Sequence, residues 1–245
     1  MKHCMIVRIV LVVLTAFGGM VAHAQPITIS AFGEQNPIME ICQLVMTEAY
    51  RCLGRTMDVK YLPAKRAIVI ANNGEVDGEL GRTQEVERDY PNLRRIPISI
   101  ATVDIVVFTK ETIFPVKDWK SLQPYTVGYV RGIKVVEHNL AEGTNAEAIA
   151  TLEQAFKKLD AGRNDVIVDA RFPGLKTLNE LGLTGISILE PPLVQVKMFH
   201  YLHVKNQHLI EPLTAVLQQM ENDGSIQQIQ RQVKRTIVSP SEKSR

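Results

Sequence analysis

The chain has 245 residues with 28 basic and 26 acidic side chains, a formal charge of +2, and 45% hydrophobic against 22% charged residues. That balance excludes a disordered polyelectrolyte and a nucleic-acid binder that works through bulk positive charge. The first 24 residues carry Lys2 and Arg8 and no acid, so without them 221 residues remain with 26 basic and 26 acidic side chains, a net charge of zero. A chain of that size makes one large domain or two small ones and needs no disulfide staples.

Met1 to Arg8 is short and basic, Ile9 to Phe17 is largely apolar, and Ala22-His23-Ala24 puts small residues where signal peptidase reads. This predicts a leader at 1–24, cleavage before Gln25 and a periplasmic product. The apolar run is broken by Gly18-Gly19 and falls short of the ~20 residues that a spanning helix needs. Cys4 sits in the basic stretch, unlike the acylated cysteine of a lipoprotein. Cys42 and Cys52 fall in one helical pattern, where ten residues at 1.5 Å each hold them about 15 Å apart. They are expected as small core residues with no bridge between them.

Ile27 to Ala31 alternates as a strand. Asn36 is placed to cap a helix that starts at Pro37, runs its apolar face through Ile41, Val45 and Ala49, and ends at Gly54. Met57 to Tyr61 reads as a second strand, Lys65 to Ala71 as a short helix closed by Asn72-Asn73-Gly74, and Val76 to Leu80 as a third strand. Strands alternating with helices imply a parallel sheet and an α/β class. Two β-prone runs follow, Ile96 to Ile100 and Thr102 to Thr109, and then a strand at Thr126 to Val130. Thr144 to Glu147 has the form of a capping box ahead of a helix through Ile149, Leu152, Phe156 and Leu159. Val166 to Val168 is a buried strand, Leu175 to Leu181 a helix stopped by Gly182, and Ile186 to Leu189 a strand before Pro191-Pro192. Lys197 to Val204 alternates, and two helices close the chain at Leu209 to Met220 and Ile226 to Val233. There is no internal repeat and no low-complexity tract.

Four stretches carry a resemblance. They are Ala71-Asn72-Asn73-Gly74-Glu75-Val76-Asp77-Gly78, Val127-Gly128-Tyr129-Val130-Arg131-Gly132, Asp165-Val166-Ile167-Val168-Asp169, and Met220-Glu221-Asn222-Asp223-Gly224-Ser225-Ile226. In this order, over Ile27 to Gln232, the chain resembles the extracytoplasmic solute-binding proteins of the amino-acid-binding type (family 3), which feed ABC importers. The resemblance implies a two-lobed, type II periplasmic-binding-protein-like fold with two hinge strands, at Thr102 to Thr109 and Lys197 to His203. Lobe one would comprise 25–108 and 201–245, and lobe two 109–200. It also implies a monomer that takes a small-molecule solute and no cofactor, with an ABC permease or a sensor kinase as the further partner.

Within that resemblance the residues beyond Asp77 line the cleft, which brings forward Gly81 and Arg82. A guanidinium fork grips a carboxylate by two parallel hydrogen bonds. The family's further arginine falls by count on Asp89, with Arg88 one residue short, so Arg82 and Arg88 compete for the role of anion grip. On the second lobe Arg131 and Gly132 stand where the family puts a glycine followed by a small hydroxyl residue, and here Ile133 and Lys134 follow instead. Asp169 matches the acid that receives the ligand's ammonium group, and the alternative for it is a carboxylate capping the next helix. Phe32 and Glu34 follow the first strand, where an aromatic wall and a ligand contact are expected, and Arg66 heads the second helix. Glu79 shares a strand face with Asp77 and is placed to orient Arg82.

The sequence holds no Gly-x-Ser-x-Gly elbow, no Gly-x-x-x-x-Gly-Lys loop and no cysteine pair at metal spacing. His200 and His203 lie on opposite faces of a strand, which argues against a shared metal. Trp119 reads as a packing residue. The expected function is capture of a small polar, amino-acid-like or carboxylate solute, without catalysis. Two alternatives stay open: a periplasmic enzyme on the same scaffold, with Glu34 or Asp169 as acid or base, and a sensory module with a degenerate cleft.

Overall fold

Two strands of 17 residues, β4 (Leu93–Thr109) and β8 (Ser187–His203), pair antiparallel along nearly their whole length. Around them a computed structural model, which describes residues 25–33, 36–84, 86–140 and 142–238, arranges one eight-stranded sheet in the order β2-β1-β3-β8-β4-β7-β5-β6. The leader at 1–24 lies outside the described residues, and so does Glu34.

On one side of the pair, β1 (Ile27–Phe32) lies parallel between β2 (Met57–Leu62) and β3 (Gly78–Arg82), and β3 pairs with β8. Helix α1 (Pro37–Cys52) follows β1, α2 (Ala64–Asn72) joins β2 to β3, and a single turn, α3 (Val86–Asp89), leads into β4. On the other side, β5 (Val127–Val130) lies parallel between β6 (Ala146–Ile149) and β7 (Val166–Ala170), and β7 runs antiparallel to β4. Here the helices are α4 (Lys134–Asn139), α5 (Leu152–Asp160) and α6 (Arg171–Leu181). The chain then returns through β8 to α7 (Ile210–Asn222) and α8 (Ser225–Val238).

Local chemistry explains the best-defined elements. The Asn36 side chain accepts from the Ile38 and Met39 amides at 3.0 and 3.2 Å, with Pro37 in the first turn, so α1 begins where its orphan donors are satisfied. Asp77 ties the start of β1 to the end of β8. Its carboxylate accepts from the Thr28 amide at 2.8 Å and from Asn206 at 3.0 Å, and pairs with Lys205 at 3.1 Å.

Several expectations are corrected. The capping box at Thr144 opens no helix: Ala146–Ile149 is the edge strand β6, and α5 starts behind Thr151, whose Oγ1 accepts the Gln154 amide at 3.2 Å. Pairing with β5 wins over local helix preference there. The runs at Ile96 and Thr102 are one strand, and Pro97 is accommodated where the register shifts between Arg95 and Ser99. The proline pair at 191–192 likewise lies inside β8, with a cis Glu190–Pro191 bond. Cys42 and Cys52 are unbridged as expected, but only Cys42 is buried, its thiol pushed up to about 12 by burial, while Cys52 is exposed at the end of α1. Trp119 packs on the core beside β5, as read from the sequence.

The core divides along the two long strands. Ile96, Ile100, Ala101, Met198 and Leu202 join α1, α7 and α8 in one cluster. Farther along, Ile105, Val107 and Leu189 join the cluster around β5 and α4, while Val106 and Phe108 join that of α5 and α6. Packing therefore changes hands between about 101 and 105 on β4. Ile38 in the first turn of α1 touches clusters on both sides.

Fully buried Phe108 stacks edge-on to Phe156 at 5.0 Å and covers Gly174 of α6 so closely that a Cβ there would lie 2.2 Å from its Cζ. Alanine gains up to about 1 kcal/mol over glycine in a helix interior, whereas overpacking a filled core costs about 1–3 kcal/mol. Gly174→Ala should therefore lower stability by about 1–2 kcal/mol in a denaturant titration, the reverse of its helix-propensity effect.

Candidate functional site

In each half the parallel strands share a carboxyl edge, and the candidate residues sit at these two edges: Phe32 closes β1 and Arg82 closes β3 in the first half, Arg131 follows β5 and Asp169 is next to last in β7 in the second. In open α/β sheets this carboxyl edge is where ligands collect, because the helices that follow the strands turn their N-termini toward it.

In the first half Arg82 is held on three sides. Its Nε donates to Glu79 Oε1 at 2.7 Å, one terminal nitrogen donates to the Ala64 carbonyl at the start of α2 at 2.8 Å, and its guanidinium carbon stands 4.3 Å from the centre of the Phe32 ring. Its side chain keeps 16% exposure while that of Glu79 has none. Burial pushes the Glu79 carboxyl up, and the charge of Arg82 and the Ser30 hydroxyl pull it back. Ser30 Oγ bonds Glu79 Oε2 at 2.5 Å, with the Gly78 and Ala67 carbonyls at 3.1 and 3.0 Å. Ser30 was missed in the sequence because an alternating strand marks it as solvent-facing. Only the β1–β3 register, which pairs Ser30 with Glu79, brings it in.

Gly81 does not face this cluster. A Cβ there would lie 3.0 Å from Cys42 Sγ, so its lack of a side chain lets β3 approach α1. Arg66 is exposed on α2, two residues beyond the carbonyl that Arg82 holds. Arg88 is 82% exposed on α3 and pairs with Asp89 at 3.1 Å.

In the second half Arg131 is exposed, and Gly132 has φ +93°, a backbone that side chains rarely adopt. The Gly132 amide donates to Glu137 Oε1 at 2.7 Å, and Lys134 Nζ meets Glu137 Oε2 at 2.6 Å. Those two partners hold the Glu137 carboxyl below its usual range, Lys134 foremost. The Gly132 amide is thus occupied by a carboxylate of the chain's own.

Asp169 is 3% exposed. Its Oδ1 accepts the Ala170 amide at 2.6 Å, and Oδ2 has no hydrogen-bond partner among the described residues. It does not cap α6 in the usual way, since Ala170 is the N-cap and has no side-chain bond. Burial pushes its pKa up to about 7, with the Ala170 bond pulling slightly down. Beside it, Arg171 grips Glu190 at 2.6 and 3.0 Å and Asp104 at 3.1 Å, tying the start of α6 to both long strands. Among the described residues no group of three or more His, Cys, Asp or Glu could hold a metal ion. His200 is buried, bonded to Tyr50 Oη at 2.9 Å and the Leu80 carbonyl at 3.2 Å, and desolvation lowers its pKa to about 4. It faces away from His203, as expected. A cavity of about 390 Å³ lies elsewhere, between α1, α6 and α8, and touches neither Arg82 nor Asp169.

No family model matches the chain. An uncharacterised protein of Shewanella oneidensis is 28% identical over 211 residues, 82% of this chain and 78% of that protein. A histidine kinase sensor domain with similarity to periplasmic binding proteins matches with a TM-score of 0.68 at 17% identity, over 86% of this chain and 96% of its own. The GluR0 ligand-binding core in complex with L-glutamate matches at 0.71 and 13%, over 85% and 98%. An ancestral arginine-binding protein bound to glutamine matches at 0.63 and 17%, over 85% and 97%.

Two buried groups push stability in opposite directions with pH. The native state keeps the Asp169 proton that the unfolded chain releases from about pH 4, so stability falls as pH rises toward 7, by roughly 4 kcal/mol at most. The native state refuses the His200 proton that the unfolded chain takes up below about 6.5, so stability falls as pH drops toward 4. Asp169→Asn should therefore gain stability relative to the parent as pH rises from 5 to 8, measured by urea titration at each pH. A gain independent of pH would contradict the buried, protonated acid. The structural likenesses and the strand order together establish that the chain has the two-lobed fold of the periplasmic binding proteins.

Proposed function

We propose that this chain is a periplasmic receptor that captures a small polar solute, amino-acid-like or carboxylate-bearing, between its lobes and presents it to an ABC permease or a sensor kinase. The observation that carries the reading is the Arg82 fork: a guanidinium laid on Phe32, oriented by a buried acid and a backbone carbonyl, at the carboxyl edge of the lobe-one strands. Orientation paid in advance favours binding, because little rotamer freedom is lost when a carboxylate docks. Asp169 supports an ammonium partner on the opposite lobe, since its Oδ2 is buried without a donor among the described residues. The described residues include no helix long and apolar enough to cross a membrane. The GluR0 core with its L-glutamate and the arginine-binding protein with its glutamine support an amino-acid-like solute, and the sensor domain supports a kinase as one type of partner.

A second reading has one observation in its favour. A buried carboxyl with a pKa of about 7 is suited to general acid or base work near neutrality. Catalysis would then run through Asp169 on the same scaffold.

Native mass spectrometry of the protein taken from its host's periplasm should retain a small solute that is recovered unchanged; its conversion to a new product would favour the enzyme. Arg82→Ala is a poor probe because it strands buried Glu79 without its cation, which typically costs several kcal/mol. The pair Arg82→Gln and Glu79→Gln, made together, avoids that charge. It should fold and weaken binding of the recovered solute by about 10- to 100-fold in calorimetry, the worth of a charge-assisted hydrogen bond. Retained affinity rules out Arg82 as the anion grip.

A further inference from the structure

Helix α8 packs against both lobes. Ile226, Ile229, Val233 and Ile237 bury into the lobe-one cluster beside α1 and α7. Its last turns also meet α6, whose own core residues Leu178 and Leu181 belong to lobe two. There Lys234 Nζ stands 4.9 Å from the centre of the Phe172 ring, and Asn179 Nδ2 donates to the Ile237 carbonyl at 2.7 Å.

Helix α6 is not free to yield. It begins directly after β7, Gly174 is wedged under Phe108, and Arg171 is fastened to Asp104 and Glu190. A rotation of the lobes about the β4–β8 crossing therefore has to move α6 relative to α8. The space between α1, α6 and α8 is incompletely filled, because the 390 Å³ cavity lies there, lined by Asn36, Glu40, Lys176 and Ile237 among others. The two α8 contacts and Ile38 hold the lobes together at this corner.

We propose that α8 is an interlobe strap: Lys234 on Phe172 and the Ile237 carbonyl on Asn179 hold the lobes at the spacing seen here and set the ratio of molecules at this spacing to molecules with the lobes farther apart before any ligand arrives. A cation–π contact and a hydrogen bond at a partly exposed site bias that ratio by a factor on the order of ten. The apparent affinity of a ligand that bridges the lobes scales with the fraction of molecules at the spacing it binds, so the strap sets affinity without touching the ligand.

The test needs no ligand, so its outcome is independent of the solute-capture reading. A spin label on exposed Cys52 in lobe one, with a second at a Lys117→Cys substitution in lobe two, reports the interlobe distance by double electron–electron resonance. Cys42 is buried and does not compete for label. Lys234→Gln combined with Asn179→Ala changes only surface positions, and Phe172→Leu removes the ring while keeping an apolar side chain. Each variant, shown to be folded by circular dichroism, should raise the long-distance population about tenfold relative to the population at the spacing of this structure. Distributions that superpose on the parent's overturn the proposal, as does a parent with no population at that spacing.

Discussion

The pairing of β4 with β8 is the constraint on which the rest depends. One antiparallel ladder runs through both halves, so each lobe completes its sheet on strands that it shares with the other. In each half the strand beside the pair, β3 or β7, has one of the long strands as its outer neighbour. A shared ladder also limits how the lobes move. Its register shifts between Arg95 and Ser99, between Ser99 and Ala101 and between Ile105 and Val107, and such irregularities locally kink and twist a ladder.

Charge is compensated locally almost everywhere near the carboxyl edges. Glu79 neutralises Arg82, Glu137 occupies the Gly132 amide, and Glu190 with Asp104 neutralises Arg171. Such pairs fix geometry more than they add stability, since desolvation offsets much of the Coulomb gain. Asp169 departs from this pattern: an acid with one oxygen satisfied and the other orphaned, held largely protonated below neutrality by burial. In a core free of functional demand, an unpartnered buried oxygen is a cost that a smaller apolar residue would avoid.

The candidate site was partly legible in the sequence. Arg82 and Phe32 were singled out through the family resemblance and Glu79 from the strand face it shares with Asp77, and the structure brings these three together. Gly81 was singled out by the same count, but it serves the approach of β3 to α1. Arg66 and Arg131 are solvent-exposed, and Arg171, which the sequence did not advertise, is the arginine tied to the hinge strands. Side-chain direction separates these cases, and direction follows from strand register and helix rotation, which depend on partners far along the chain.

What the sequence determined by itself was local: the Asn36-Pro37 start of α1, the alternation of β1 and β2, the glycine stop after α6, and the α/β order that identifies the class. Each of those signals acts within a few residues, through a cap, a period or a backbone angle. The tertiary structure decided that Thr151 and not Thr144 opens α5, that two broken apolar runs are one strand, that Ser30 sits on Glu79, and that α8 reaches across to the second lobe. Those outcomes rest on which strands pair and which faces are buried, and only the assembled chain makes the long-range contacts that choose between local alternatives of nearly equal free energy.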